Sequence, residues 1–313
     1  MNAAREQGGE RGNAAMDRIP APLLFLAAGT SQYIGAALAV GLYATIPATS
    51  VAWARGAVGA VILFALVRPW RLRWTRRELA QTGLFGVVLL GMNMLFYVAI
   101  DHLPLGAAVA IEFAGPVVVA AWGGRSVRHR FAVVLAAAGV LAISLVGLNW
   151  NGERTTAELA LGLAAALGAG VLWAGYMVIG GRIVKRRSGV ASLAMGLTFA
   201  SLLYAPLTAA GAVSALSWPI GITLALVGLL STVVPYTLDQ VTLKRLGTAT
   251  FALLNALLPV SATVIGVLAL RQIPTWGEVA GTLAVSAAVW ISAPRKRPRP
   301  GSALEHGSRG EGH

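Results

Sequence analysis

The chain has 313 residues, 57% of them hydrophobic and 12% charged, with a mean hydropathy of +0.71 and a formal net charge of +13. A globular domain carries about 25% charged residues, so half that load excludes an ordinary soluble domain and points to a polytopic membrane protein. The basic excess lies in short connectors between apolar runs rather than on one soluble face, which argues against a nucleic-acid partner.

Cysteine is absent, which removes disulfides, thiolate metal sites, thiol catalysis and cysteine-ligated clusters. The four histidines (His102, His129, His306, His313) never take a metal-ligand spacing, and none of the three lysines (Lys185, Lys244, Lys296) sits in a Walker A loop. No metal and no cofactor is expected.

Residues 1–20 are polar and hold no apolar stretch of signal-peptide type, so they read as a disordered cytoplasmic start without a cleaved signal. Ten apolar segments follow, near 22–46, 50–67, 79–100, 104–122, 131–149, 157–181, 189–213, 219–243, 248–270 and 275–293. Each is long enough to span roughly 30 Å of hydrocarbon. From Arg295 the tail is rich in Pro, Gly and Arg and is expected to be disordered.

Orientation follows from Lys and Arg. With the N-terminus inside, 22 of the 25 fall in cytoplasmic segments; Arg154 and Arg271 lie in outer connectors and Arg55 within a helix. That bias places both termini in the cytoplasm and supports ten spans, because a missed or extra helix would scramble the alternation. Trp70, Trp74, Trp122, Trp150, Trp218, Trp276 and Trp290 fall near predicted helix ends, as interfacial anchors do.

The polar connector 149–158 divides the chain into two five-helix halves, 21–150 and 157–294. An odd number of spans makes the second half enter the membrane upside down, the inverted-repeat arrangement of many secondary transporters. The expected fold is therefore an all-α integral membrane protein of ten transmembrane helices in two inverted five-helix repeats. IEFAGPVVVAA in helix four and LNALLPVSATV in helix nine, aligned on Pro116 and Pro259, pair Glu112 with Asn255.

Gly162, Ala166, Gly170 and Ala174 recur every fourth residue and predict a flat face for close helix approach; Gly56 and Gly59 predict the same in helix two.

Charge at the centre of a membrane helix costs roughly 2.5 kcal/mol or more, so the polar groups inside the spans need a reason. Arg55 interrupts helix two, Asn93 helix three, Glu112 helix four, and Asp239 follows Pro235-Tyr236 in helix eight. At 1.5 Å per residue, Arg55 is roughly 8 Å, Asn93 roughly 10 Å and Glu112 roughly 12 Å from the outer helix ends. Three polar groups of similar depth on successive helices can converge. Asn255 comes out roughly 10 Å from the inner face, the placement an inverted repeat would produce.

Pro116 and Pro259 each leave the carbonyl four residues earlier without its donor, at Glu112 and at Asn255. In lipid such a carbonyl needs a protein or water partner. Two readings stand for Arg55 and Glu112: a buried ion pair locking two helices, or a site in which Arg55 holds a substrate carboxylate while Glu112 takes an ammonium group or a coupling proton. Asp239, five residues from Lys244, either couples protons or reaches the cytoplasmic surface. Trp173 and Tyr176 line a cavity or pack a core. Asp101 and His102 sit in a solvated outer turn.

The segments RPWRLR (68–73), GMNMLFY (91–97), PLGAAVAIEFAGP (104–116), LGAGVLWAGY (167–176) and LSTVVPYTLD (230–239) together resemble the EamA-type transporters of the drug/metabolite transporter superfamily. The resemblance runs from about Gln32 to Trp290 and implies ten helices in two inverted repeats, a central cavity, and efflux of small metabolites by exchange with protons. It implies amino acids of the threonine and homoserine kind as substrates.

Where many members carry Glu before the helix-nine proline and another after that helix, this chain has Leu258 and Gln272. Proton coupling would then rest more heavily on Glu112, with Asp239 as a second candidate.

The expected lining of the substrate site is Arg55, Asn93, Tyr97, Glu112, Trp173, Tyr176, Tyr236 and Asn255. The expected partners are a small-molecule substrate, protons and membrane lipid. Competing readings are an exporter of drugs or other metabolites, favoured by a more aromatic cavity, and a non-transporting membrane scaffold or enzyme. An enzyme would show clustered His, Asp or Glu at the membrane surface, and none is evident. A scaffold has no need of Glu112.

Overall fold

The computed structural model describes residues 19–115, 117–118, 126–148, 154–184, 189–239, 242 and 254–292. Both tails, Pro116, Trp122, Trp150, Lys185, Lys244 and Arg245 lie outside the described residues, as do the expectations of disorder and cytoplasmic placement that fall on the tails. Among the described residues there are helices and no strand.

The first helices start on proline, whose fixed φ suits a first turn and whose missing N–H leaves no donor to satisfy. α1 (Ala21–Val40) follows Pro20 and α2 (Ala48–Val67) follows Pro47. α2 ends where Arg68 turns left-handed at φ 51°, and a 3₁₀ turn, Pro69–Arg71, leads on.

α3 (Arg76–His102) opens with a reciprocal cap. The Thr75 N–H donates to Glu78 Oε2 at 2.8 Å and the Glu78 N–H to Thr75 Oγ1 at 3.2 Å. The pairs Thr155/Glu158 and Thr275/Glu278 repeat it ahead of α6 (Thr156–Val184) and α10 (Trp276–Ser292). Satisfying two orphan donors at once matters most where a helix enters a medium that offers no other partner.

α4 (Leu105–Glu112) is short and every residue in it is buried. α5 (Val127–Leu141) runs into a π segment, Ala142–Gly147. α7 (Gly189–Ser214) contains Pro206. α8 (Trp218–Gly228) passes through a second π segment, Leu229–Val233, and stays helical to Asp239. α9 (Leu258–Leu270) ends on left-handed Arg271. Among the described residues, seven helices are long and apolar enough to cross a membrane: Pro22–Val40, Ala48–Val67, Arg76–His102, Val127–Gly147, Thr156–Gly180, Gly189–Ser214 and Trp218–Asp239.

α3 packs along α6 and α7, α2 along α7, and α5 along α10. The α3–α7 approach is set by Gly86 and Gly196: a Cβ on Gly86 would collide with the Gly196 carbonyl. Three of the four predicted ridge positions on α6 are tightly packed, while Ala174 is only half-buried. Gly162 abuts His102 and Leu103, Ala166 is fully buried, and Gly170 abuts the Glu112 carbonyl. Gly56 meets Leu90 on α3, and Gly59 meets Thr232 on α8. Trp70, Trp218, Trp276 and Trp290 are exposed at helix ends, as anchors require.

Candidate functional site

The site is built around the π segment of α8. Pro235 has no N–H, so neither Ser231 in an α-helical pattern nor Leu230 in a π pattern finds its usual donor. Side chains from the first half supply both. Arg55 donates from Nη2 to the Ser231 carbonyl, and Ser31 Oγ donates to the Leu230 carbonyl at 2.8 Å. Arg55 Nε also donates to Thr232 Oγ1 at 3.1 Å, and Ser231 Oγ donates to the Gln32 carbonyl at 3.3 Å.

The third arm of Arg55 reaches α3. Nη1 donates to Asn93 Oδ1 at 2.6 Å, and Asn93 Nδ2 donates to the Leu89 carbonyl at 2.7 Å. Both side chains are buried, at 3% and 6% exposure. The predicted shared depth of Arg55 and Asn93 is thus realised as a direct bond. The guanidinium lies over the Tyr97 ring, 5.4 Å from its centroid, and Tyr97 tilts against Tyr43 at 6.2 Å. Both tyrosine hydroxyls are buried without a hydrogen-bond partner among the described residues.

Glu112, 6% exposed, closes α4. It forms no ion pair with Arg55 among the described residues; the three bonds of Arg55 go to neutral oxygens. The Glu112 carbonyl is covered by α6, since a Cβ on Gly170 would stand 2.6 Å from that oxygen. Next to it, Phe113 meets Trp173 edge-on at 4.3 Å.

Tyr236 links the parts, being within electrostatic range of Arg55, Asn93, Asp239 and Glu112. Tyr33 on α1 is buried, 2% exposed. Tyr176 stacks on Phe85 at 4.9 Å. Trp173 and Tyr176 thus each pack on a phenylalanine, Phe113 and Phe85 respectively.

Asn255 is half-buried ahead of α9 and forms no hydrogen bond to that cluster among the described residues. Gln272, in place of the expected acid, accepts from the Leu105 N–H at 2.9 Å and so caps α4.

Sequence reasoning missed Tyr33, Tyr43, Ser231 and Thr232. The signal for Ser231 was present: the four-residue rule applied to Pro116 and Pro259 also holds for Pro235. Among the described residues no group of three or more His, Asp or Glu could hold a metal ion.

The EamA-like transporter family matches residues 160–293. The threonine/homoserine exporter RhtA of Salmonella typhimurium strain LT2 is 37% identical over 270 residues, covering 85% of this chain and 88% of that protein. RhtA of Escherichia coli K12 is 38% identical over 258 residues, covering 81% and 84%. One solved crystal structure shares the fold at a TM-score of 0.54 and 20% identity, covering 87% of this chain and 96% of its own. With such identity along most of its length and an apolar helical body to match, the chain belongs to the EamA-like transporter family, as a multi-pass transporter of the bacterial cytoplasmic membrane and not an enzyme.

Proposed function

We propose that this transporter exports small zwitterionic amino acids, of the threonine and homoserine kind, in exchange for protons. The observation that carries the reading is the enclosure of Glu112 beside a cluster of Arg55, Asn93, Tyr97 and Tyr236. A zwitterion needs both charges met at once. Arg55 has five N–H donors and directs three hydrogen bonds to protein oxygens, which leaves capacity for a carboxylate. Glu112 accepts the ammonium group or a proton, with Asp239 as a second proton site nearer the end of α8. Trp173, Tyr176 and Asn255 complete the lining.

The same reading takes the helices as ten spans in two inverted repeats, 21–150 and 157–294, with both termini cytoplasmic; the 22-to-2 charge bias supports it. Export of other small metabolites is the second reading, favoured by Tyr33, Tyr43 and Tyr97 around the charges.

The test is uptake of labelled threonine and homoserine into inverted vesicles, with the lumen made acidic. Uptake should rise with the gradient, because lumenal protons leave as substrate enters. If neither amino acid accumulates, the substrate assignment is lost. If Glu112→Gln keeps the gradient dependence, the coupling assignment is lost.

A further inference from the structure

Outside the polar centre lie a cavity and a motif that the proposed transport does not use. The cavity is a groove of about 520 Å³ between α2 and α7, walled by Trp53, Ala57, Val61, Phe64, Trp70 and Leu202. That volume is in the range of small-molecule sites, about 300–1,000 Å³. Small residues form its floor and aromatic rings stand at both ends. Val61 and Leu202 are 69% and 71% exposed. Both walls belong to apolar spanning helices, so the groove opens sideways to hydrocarbon.

Of its hydrogen-bonding side chains, Trp53 and Thr198 are engaged elsewhere, and Ser201 Oγ is buried without a partner among the described residues. The Trp53 indole donates to the Ser201 carbonyl at 2.8 Å, and Thr198 Oγ1 donates to the Ala194 carbonyl at 2.8 Å. A zwitterionic substrate finds no charged group there, whereas an acyl chain finds an almost wholly apolar wall.

The motif is RPWRLR, residues 68–73. Trp70 closes one end of the groove and packs on Phe64 at 4.9 Å. Half-buried Arg68 and exposed Arg71 flank it in the chain, and three more arginines follow by Arg77. Basic clusters at the mouth of a cleft between membrane helices suit an anionic headgroup.

We infer that the α2–α7 groove is a binding site for an anionic phospholipid, with one acyl chain along Ala57 and Val61 and the phosphodiester on Arg68 and Arg71. The charge also argues against a second copy of the chain as occupant. A two-fold axis along the membrane normal would bring two like-charged arginine clusters to the same depth, and like charges repel.

The test uses the full chain in vesicles of equal phosphatidylcholine and phosphatidylglycerol, extracted gently and weighed by native mass spectrometry. The parent chain should retain phosphatidylglycerol in at least tenfold preference. Arg68→Gln with Arg71→Gln should lower that preference roughly tenfold, and Ala65→Trp, which fills the groove from an exposed position, should lower retention of both lipids. Equal retention of the two lipids by the parent chain overturns the inference, and that measurement needs no variant. Val61→Cys, the sole thiol in the chain, supplies a second check: efficient inter-chain cross-linking there would assign the groove to another copy and overturn it too.

Discussion

α4 and the start of α9 carry one local device, a polar residue four positions before a proline, and the fold treats the two differently. All eight residues of α4 are buried, enclosed by α3, α5, α6, α9 and α10. In α9 only Pro259, Ala262 and Gly266 are buried, while Val264, Val267 and Leu268 face outward. The charge sits in the enclosed copy, at Glu112, and the neutral amide in the other, at Asn255. A carboxylate facing hydrocarbon is expensive, whereas one surrounded by protein dipoles is not. Enclosure by neighbours decides which copy can hold a titrating group.

Function gives the widest expected separation. Glu112→Gln should lower gradient-driven uptake about a hundredfold, in line with roughly 3 kcal/mol for an intramembrane charge; Asn255→Ala should cost much less. Equal losses in transport assays would break the comparison.

Packing comes next. Gly170→Ala drives a Cβ against the Glu112 backbone carbonyl and should destabilise by about 2–3 kcal/mol, as overpacking does. Gly266→Ala on α9 meets only the Gln272 and Leu105 side chains, at 3.1 and 3.6 Å, and should cost less. Thermal unfolding in detergent compares them.

Arg55→Met removes the donor to the Ser231 carbonyl and should cost about 1–3 kcal/mol, in the same assay. Wild-type stability in that variant would mean the π segment does not depend on the first half.

The smallest effect sharpens the contact between the two helices. Gln272→Leu leaves the Leu105 N–H without its acceptor and should cost about 1 kcal/mol. Gln272→Glu should restore the cap and gain a few tenths of a kcal/mol beside the N-terminus of α4.

Much of this molecule can be read from the chain. Long apolar runs predict the helices because an unpaired backbone is intolerable in lipid. The ridge Gly162, Ala166 and Gly170 lies against the residues that its spacing left room for. Arg55 and Asn93 meet because depth along a helix is simple arithmetic. Tyr33 and Thr232 stayed hidden for a physical reason: these helices are apolar nearly all round, so no amphipathic stripe marks the inward face.

The medium, the helices, the position of each charge along its helix, and the family are legible in the sequence, because all of these depend on composition and spacing along one chain. What those charges touch came from the packing of the helices. Arg55 reaches across 176 residues to the carbonyl that Pro235 frees, Gln272 takes the α4 cap, and Glu112 stands unpaired with Arg55. Each depends on which faces of two helices meet, and that is settled by packing rather than by the pattern of either helix alone.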